Sequence, residues 1–265
     1  MTNTPIYFID AFTSDLFSGN SAAVVILNNW PSDALMQNIA KENNLSETAF
    51  VAPHNSELKI RWFTPTIEVD LCGHATLAAA YVMFEHENYE GDEITFHSKS
   101  GVLKVYRRDD HLELDFPKDT ITPVLEFPEL IRFDKSELIK EIYKGRTDYM
   151  FVLDSEKHIK DYAPSFNIIK QLECRGIIIT APSKTEVDFV SRFFAPQSGI
   201  DEDAVTGSAH TTLTPFWAQR LGKSKLTAHQ LSARGGKLSC ELNGDRVYIG
   251  GNCVTYIKGS LLINT

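Results

Sequence analysis

The sequence is short of cysteine, of long apolar runs and of positive charge, and each shortage excludes a class of protein. Its four cysteines, Cys72, Cys174, Cys240 and Cys253, show neither CxxC spacing nor the density of a disulfide scaffold. They read as reduced thiols. No fully apolar run approaches the roughly 20 residues that a membrane-spanning helix needs, and no basic start followed by an apolar block opens the sequence. A soluble, cytoplasmic protein with no membrane partner is expected. Lys and Arg number 26 against 35 Asp and Glu, a formal net charge of −9. Affinity for nucleic acid is built from clustered cations that release counterions, so no nucleic-acid partner is expected. Also missing are GxGxxG after a strand, a Walker loop, HExxH and GxSxG. The histidines show no structural zinc spacing, and no lysine stands in a Schiff-base context. What survives is an acid/base enzyme with no cofactor and no metal.

What is present is ample chain for a core: 265 residues, 43% of them hydrophobic, make one long domain or two small ones. The chain also repeats itself. Arg61-Trp-Phe-Thr-Pro65 returns as Arg192-Phe-Phe-Ala-Pro196, and each copy leads into a glycine segment, Cys72-Gly-His-Ala-Thr76 or Thr206-Gly-Ser-Ala-His210. The hairpin pattern Gly101–Leu114 returns at Gly236–Ile249. Pro65 and Pro196 lie 131 residues apart, Gly73 and Gly207 134, Gly101 and Gly236 135. Offsets that drift slowly in one direction are those of a duplicated unit carrying small insertions, where accidental matches would scatter. Two similar halves imply a cleft between them, a favoured place for a ligand.

Local patterns give a mixed α+β unit used twice. Ile6–Phe12, Ala22–Leu27, Leu45–Val51 and Leu58–Phe63 read as strands. Ser32 caps a helix running to Asn43, with Leu35, Met36, Ile39 and Ala40 on one face. From Gly73 to His86 the sequence is apolar nearly all round, which predicts a buried central helix; Gly207–Leu221, ended by Gly222, is its counterpart. Ser183-Lys-Thr-Glu186 has the form of a capping box and predicts a helix toward Phe193. Pro117, Pro123 and Pro128 mark a crossover near 118–128. The expected halves are 1–118, with 254–265 as a candidate completing strand, and 119–253.

Gly73 and Gly207 would each open a buried helix. Helix starts carry unpaired N–H groups and the positive end of the macrodipole, so two facing starts would take a carboxylate; the alternative is that the glycines only permit tight turns. A small anionic substrate is the expected partner. Proton-moving groups stand nearby: Cys72 and His74 in the first half, and Asp201, Glu202, Asp203, Thr206, Ser208 and His210 in the second. Glu47, flanked by Leu45, Ala49, Phe50 and Val51, is either a desolvated carboxylate raised into the range of a general base or a group on the solvated side of its strand. His74 reads either as an acid/base group or as a satisfied structural histidine. Asp201-Glu-Asp203 is either a solvated acidic turn or an oxygen-ligand metal site.

Ile9-Asp-Ala-Phe-Thr13 with Gly19-Asn-Ser-Ala-Ala-Val24, Asn44-Leu-Ser-Glu-Thr-Ala-Phe50, Arg61–Pro65, Cys72–Thr76 and Gly199-Ile-Asp-Glu-Asp-Ala-Val-Thr-Gly-Ser208 together resemble the phenazine-biosynthesis PhzF-like family. The blocks stand in the family's order and span nearly the whole chain. The resemblance implies a diaminopimelate-epimerase-like α+β fold: two halves, each a curved, mostly antiparallel sheet around a central helix, and a homodimer. It implies an isomerase in which Glu47 shuttles a proton on a cyclic amino acid-like substrate without metal or organic cofactor. His74 and Asp203 match the family's supporting acid/base residues. Ser208 and the amides at Gly73 and Gly207 match its substrate anchors, with Ser46 beside the base. Two departures matter unequally. Related epimerases place a cysteine at each helix start, but Thr206 stands opposite Cys72 in the repeat, and a hydroxyl is far too weak an acid to be the second thiolate. Asn20-Ser21 replaces a common Asn-Pro and loosens one turn. The readings left beside the isomerase are an amino-acid epimerase or racemase, and a non-catalytic protein that binds small anions.

Overall fold

Near-continuous burial builds inner strands such as Asn20–Ile26 and Gly176–Pro182, alternating burial builds others such as Leu112–Pro117, and runs buried on every side build the two central helices. The computed structural model describes residues 2–55, 57–127, 133 and 135–263. The chain divides into two units, Met1–Asp115 with Gly250–Thr265, and Phe116–Ile249.

The first unit contains β1 (Thr2–Ala11), β2 (Asn20–Ile26), α1 (Asp33–Asn43), β3 (Glu47–His54), β4 (Glu57–Phe63), β5 (Glu68–Val69), α2 (Gly73–Glu85), β6 (Glu93–Ser98), β7 (Gly101–Arg107) and β8 (Leu112–Pro117). β1 and β2 run antiparallel, and α1 carries the chain to β3 parallel to β2. β3 and β4 are antiparallel, and α2 carries the chain to β6 parallel to β4. β6, β7 and β8 follow as antiparallel neighbours. Ser32 caps α1 by accepting the Leu35 N–H, and Asn44 ends it at φ 50°. That left-handed stop turns the chain directly into Glu47. Met36, Ile39 and Ala40 of α1 join a core with Ile6, Val25, Phe50 and Phe63.

The second unit contains β9 (Thr122–Pro123), β10 (Glu141–Lys144), β11 (Asp148–Val152), α3 (Glu156–Asp161), α4 (Phe166–Ile169), β12 (Gly176–Pro182), β13 (Phe189–Ala195), β14 (Ile200–Asp203), α5 (Gly207–Leu221), β15 (Lys225–Gln230), β16 (Gly236–Asn243) and β17 (Arg246–Gly251). Its pairings repeat those of the first unit. β10 and β11 are antiparallel, and β11 and β12 parallel across α3 and α4. β12 and β13 are antiparallel, β13 and β15 parallel across α5, and β15 and β16 antiparallel. The repeated arginines show the same duplication at the level of side chains. Arg61 on β4 forks onto Glu68 of β5 at 2.7 and 2.8 Å; Arg192 on β13 forks onto Glu202 of β14 at 2.7 and 2.9 Å. Finally β18 (Cys253–Ile263) returns to the first unit and pairs with β1 from Thr2↔Ile263 to Ala11↔Cys253.

The two central helices form where expected, α2 burying residues on all sides and α5 ending at Gly222 with φ 66°. The helix expected from Ser183 toward Phe193 does not form. The Ser183 hydroxyl instead accepts the Thr185 N–H at 3.1 Å, a local turn, and Phe189–Ala195 is strand β13. Phe189, Val190, Phe193 and Phe194 are buried, and β-branched and aromatic residues of this kind fit a pleated surface better than a helix. The match of Arg192-Phe-Phe to the strand Arg61-Trp-Phe carried that information. Pro128, one of the three prolines taken to mark the crossover, lies outside the described residues. Among the described residues no helix is long and apolar enough to cross a membrane, and the cysteines form no disulfide.

Candidate active site

In the first unit, the start of β3 and the start of α2 bring Glu47, His74 and Cys72 together. Glu47 is the first residue of β3, His74 the second of α2, and Cys72 the residue preceding that helix. Glu47 Oε2 lies 3.3 Å from His74 Nε2, and the two side chains are 13% and 7% exposed. At that exposure Glu47 does not lie on the solvated side of its strand. Burial pushes His74 down to about 4, so its ring is neutral at neutral pH. A neutral imidazole has one donor and one acceptor nitrogen, the requirement for passing a proton on. Cys72 Sγ stands 3.5 Å from His74 Nδ1, and the Asn20 side-chain nitrogen 3.1 Å from the same atom. Ser46 is half-buried beside Glu47, and Gly73 opens α2.

The position of Asn20 depends on Gly19. Gly19 has φ +66°, and a Cβ there would come within 2.2 Å of Ala11 O and 2.6 Å of Thr13 Cγ2. Only glycine fits. Asp10 ties down the same loop: its carboxylate accepts the Phe17 N–H at 3.0 Å and the Ser21 hydroxyl. A carboxylate oxygen of Glu47, the Cys72 sulfur and a His74 nitrogen lie within 4.8 Å of one another. This mixed donor set is of the kind that zinc accepts.

In the second unit, Asp203 ends β14, and Gly207 and Ser208 open α5. Asp203 Oδ2 accepts the Thr206 hydroxyl at 2.6 Å. Gln230, fully buried, ties both residues down: its Oε1 accepts the Thr206 N–H at 2.9 Å and its Nε2 donates to Asp203 O at 2.9 Å. Glu202 is taken by Arg192, which resolves the acidic run 201–203 into an ion pair, a buried-helix cap partner and the exposed Asp201. His210 is a structural histidine. It donates from Nδ1 to Thr206 O at 2.8 Å, and burial pushes it down to about 4.

Arg175 was missed by sequence reasoning. It donates from Nη1 to Ser208 Oγ at 2.8 Å and from Nε to Asp148 Oδ1 at 2.9 Å. No motif surrounds it; its one signal was a lone cation immediately ahead of an isoleucine-rich strand.

Comparisons with known proteins identify the family and the fold. The model of the phenazine biosynthesis-like protein family, PhzC-PhzF, matches residues 9–259. An uncharacterized isomerase of Pseudomonas aeruginosa is 48% identical over 97% of this chain and 97% of its own. Another, from Halalkalibacterium halodurans, is 45% identical over 99% of this chain and 100% of its own. A crystal structure of a PhzF-family phenazine biosynthesis protein from Enterococcus faecalis superposes with a TM-score of 0.93 at 43% identity, covering 99% of this chain and 100% of that one. A hydroxyproline epimerase from Agrobacterium vitis, at 10% identity and a TM-score of 0.61 over 98% and 93% of the chains, shares the fold alone. With the duplicated α+β unit, the buried helix starts and a family match spanning almost every residue in agreement, this chain has the diaminopimelate-epimerase-like fold and belongs to the phenazine biosynthesis-like, PhzF, family.

Proposed function

We propose that the protein is an isomerase that moves a proton on a small carboxylate-bearing, cyclic amino acid-like substrate, with Glu47 as the base. The observation that carries this reading is the buried approach of Glu47 to the neutral ring of His74. Glu47 removes a proton from a carbon next to the conjugated system and returns it at another position, while His74 orients the carboxylate and can relay the proton. A positioned base supplies roughly 10²–10⁴-fold, and the rest comes from orientation and stabilisation of the anionic intermediate. Asp203 joins His74 as a supporting acid/base group, and Ser46, Ser208 and the amides at Gly73 and Gly207 are the substrate anchors. The names of the 48% and 45% identical relatives support isomerase-type chemistry.

The test is proton exchange in D₂O, followed by NMR, across cyclic and acidic amino acids including a dihydro-hydroxyanthranilate. Wild type, dialysed against EDTA, should incorporate deuterium; Glu47→Gln should bind the same compound and incorporate none. Full exchange by Glu47→Gln removes Glu47 from the base role. Loss of exchange on chelation would instead make the Glu47, Cys72 and His74 donor set a working metal site. A second reading, an epimerase, is favoured by the Cys72 thiol beside His74. It predicts inversion at the exchanged carbon, read by chiral chromatography.

A further inference from the structure

The geometry points to Arg175 as the residue that commits the Ser208 hydroxyl to donating a hydrogen bond to a ligand carboxylate at the start of α5. This rests on the carboxylate-bearing substrate class proposed above and names a group that recognises it. A guanidinium has only donors, whereas a serine hydroxyl both donates and accepts. Arg175 Nη1 donates to Ser208 Oγ at 2.8 Å, so one of that oxygen's two lone pairs is taken and its hydrogen has to turn away from the guanidinium. Its hydrogen is left to point at something else, and no described protein acceptor takes it.

Arg175 is held so that it cannot yield this role. Nε and Nη2 both donate to Asp148, whose side chain is 3% exposed. The Arg175 backbone N–H donates to Thr147 O at 2.7 Å, and the guanidinium carbon lies 5.0 Å from the centre of the Phe193 ring. The next residue must be Gly176, because a Cβ there would come within 2.6 Å of Phe193 Cζ and Phe194 O. That contact presses this stretch of chain onto β13 and fixes where the arginine starts. The result is a preset O–H donor with a cation behind it, at the positive end of a 15-residue helix. A carboxylate satisfies all three. A neutral amide in its place brings no charge and sets its own N–H groups against donors.

Calorimetric titration with 2-aminobenzoate and 2-aminobenzamide, which differ only at this group, tests the inference. Wild type should bind the acid about ten-fold or more tightly than the amide, the scale of one hydrogen bond to a charged group. Arg175→Lys keeps a cation against Asp148 but loses the fork, and Ser208→Ala removes only the hydroxyl. Thermal melting should show Ser208→Ala to be folded. Both variants should lose most of the preference through weaker binding of the acid, with amide affinity unchanged. The double variant should be no weaker than the weaker single variant, since arginine and serine act as one donor. A wild-type preference kept in Arg175→Lys, a double variant whose loss is the product of the two single losses, or no preference in wild type would each overturn the inference. These binding outcomes are separate from proton exchange in Glu47→Gln, so failure of either reading leaves the other standing or falling on its own data.

Discussion

His210 shows how one buried side chain writes itself into the pH dependence of stability. Burial holds it and His74 down to about 4, whereas a histidine in the unfolded chain titrates near 6.5. Above 6.5 both states are neutral and pH has no effect through these groups. Between 6.5 and about 4 the unfolded chain takes up protons that the native protein refuses, so stability is fully present above 6.5 and falls as the pH drops. The midpoint of thermal unfolding, followed by circular dichroism, should therefore decline from pH 6.5 to 5. In His210→Gln, which keeps a donor for Thr206 O, the decline should be shallower. An unchanged slope would mean that the native ring takes up its proton where the unfolded one does. At this scale the sequence was partly legible. Glu47 considered as an isolated residue gave no decision between a solvated strand face and a desolvated base, because that depends on whether a helix start covers it. Arg175 was not legible at all, since its partners, Asp148 and Ser208, stand 27 and 33 residues away.

Helix α5 contains Pro215, which has no N–H to give to the Thr211 carbonyl one turn earlier. A backbone from outside the helix fills that gap: the Asp119 N–H donates to Thr211 O at 3.1 Å, and the Thr212 hydroxyl donates to Asp119 Oδ2 at 2.9 Å. The helix tolerates its proline because Asp119 takes over the orphaned carbonyl. Thr212→Val keeps shape and burial but removes the hydroxyl, and should destabilise the protein by about 1–2 kcal/mol in urea unfolding. No change in the midpoint would show that the Asp119 carboxylate finds an equal partner. Elements were read correctly where one physical signal dominated, as in the all-apolar α2 or the Ser32 cap of α1. Residues 183–193 were read wrongly because a short Ser-x-x-Glu pattern outweighed the β-branched and aromatic run behind it. Local hydrogen bonding by serine serves a turn as readily as a helix start.

On the scale of the molecule, the duplication seen as offsets of 131 to 135 residues is a repeated order of strand pairings, and the repeat was legible because Arg61 and Arg192 keep the same job. The two units differ in chain continuity. The second, Phe116–Ile249, is a continuous piece of chain, whereas the first needs Gly250–Thr265. A fragment spanning 116–249 should unfold in a single cooperative transition, and a fragment spanning 1–115 should not unless a 250–265 peptide is added. Urea titrations monitored by tryptophan fluorescence and circular dichroism would show this. A cooperative 1–115 fragment would make β18 dispensable.

The pairing of β1 with β18 also orders events during synthesis. Strand β1 leaves the ribosome before the whole second unit has been made, and the residues that complete its ladder follow that unit. A growing chain can close the second unit while β1 still shows one open edge. That edge, from Thr2 to Ala11, is the segment a chaperone or a neighbouring nascent chain would meet. The unit begun first is the one finished last.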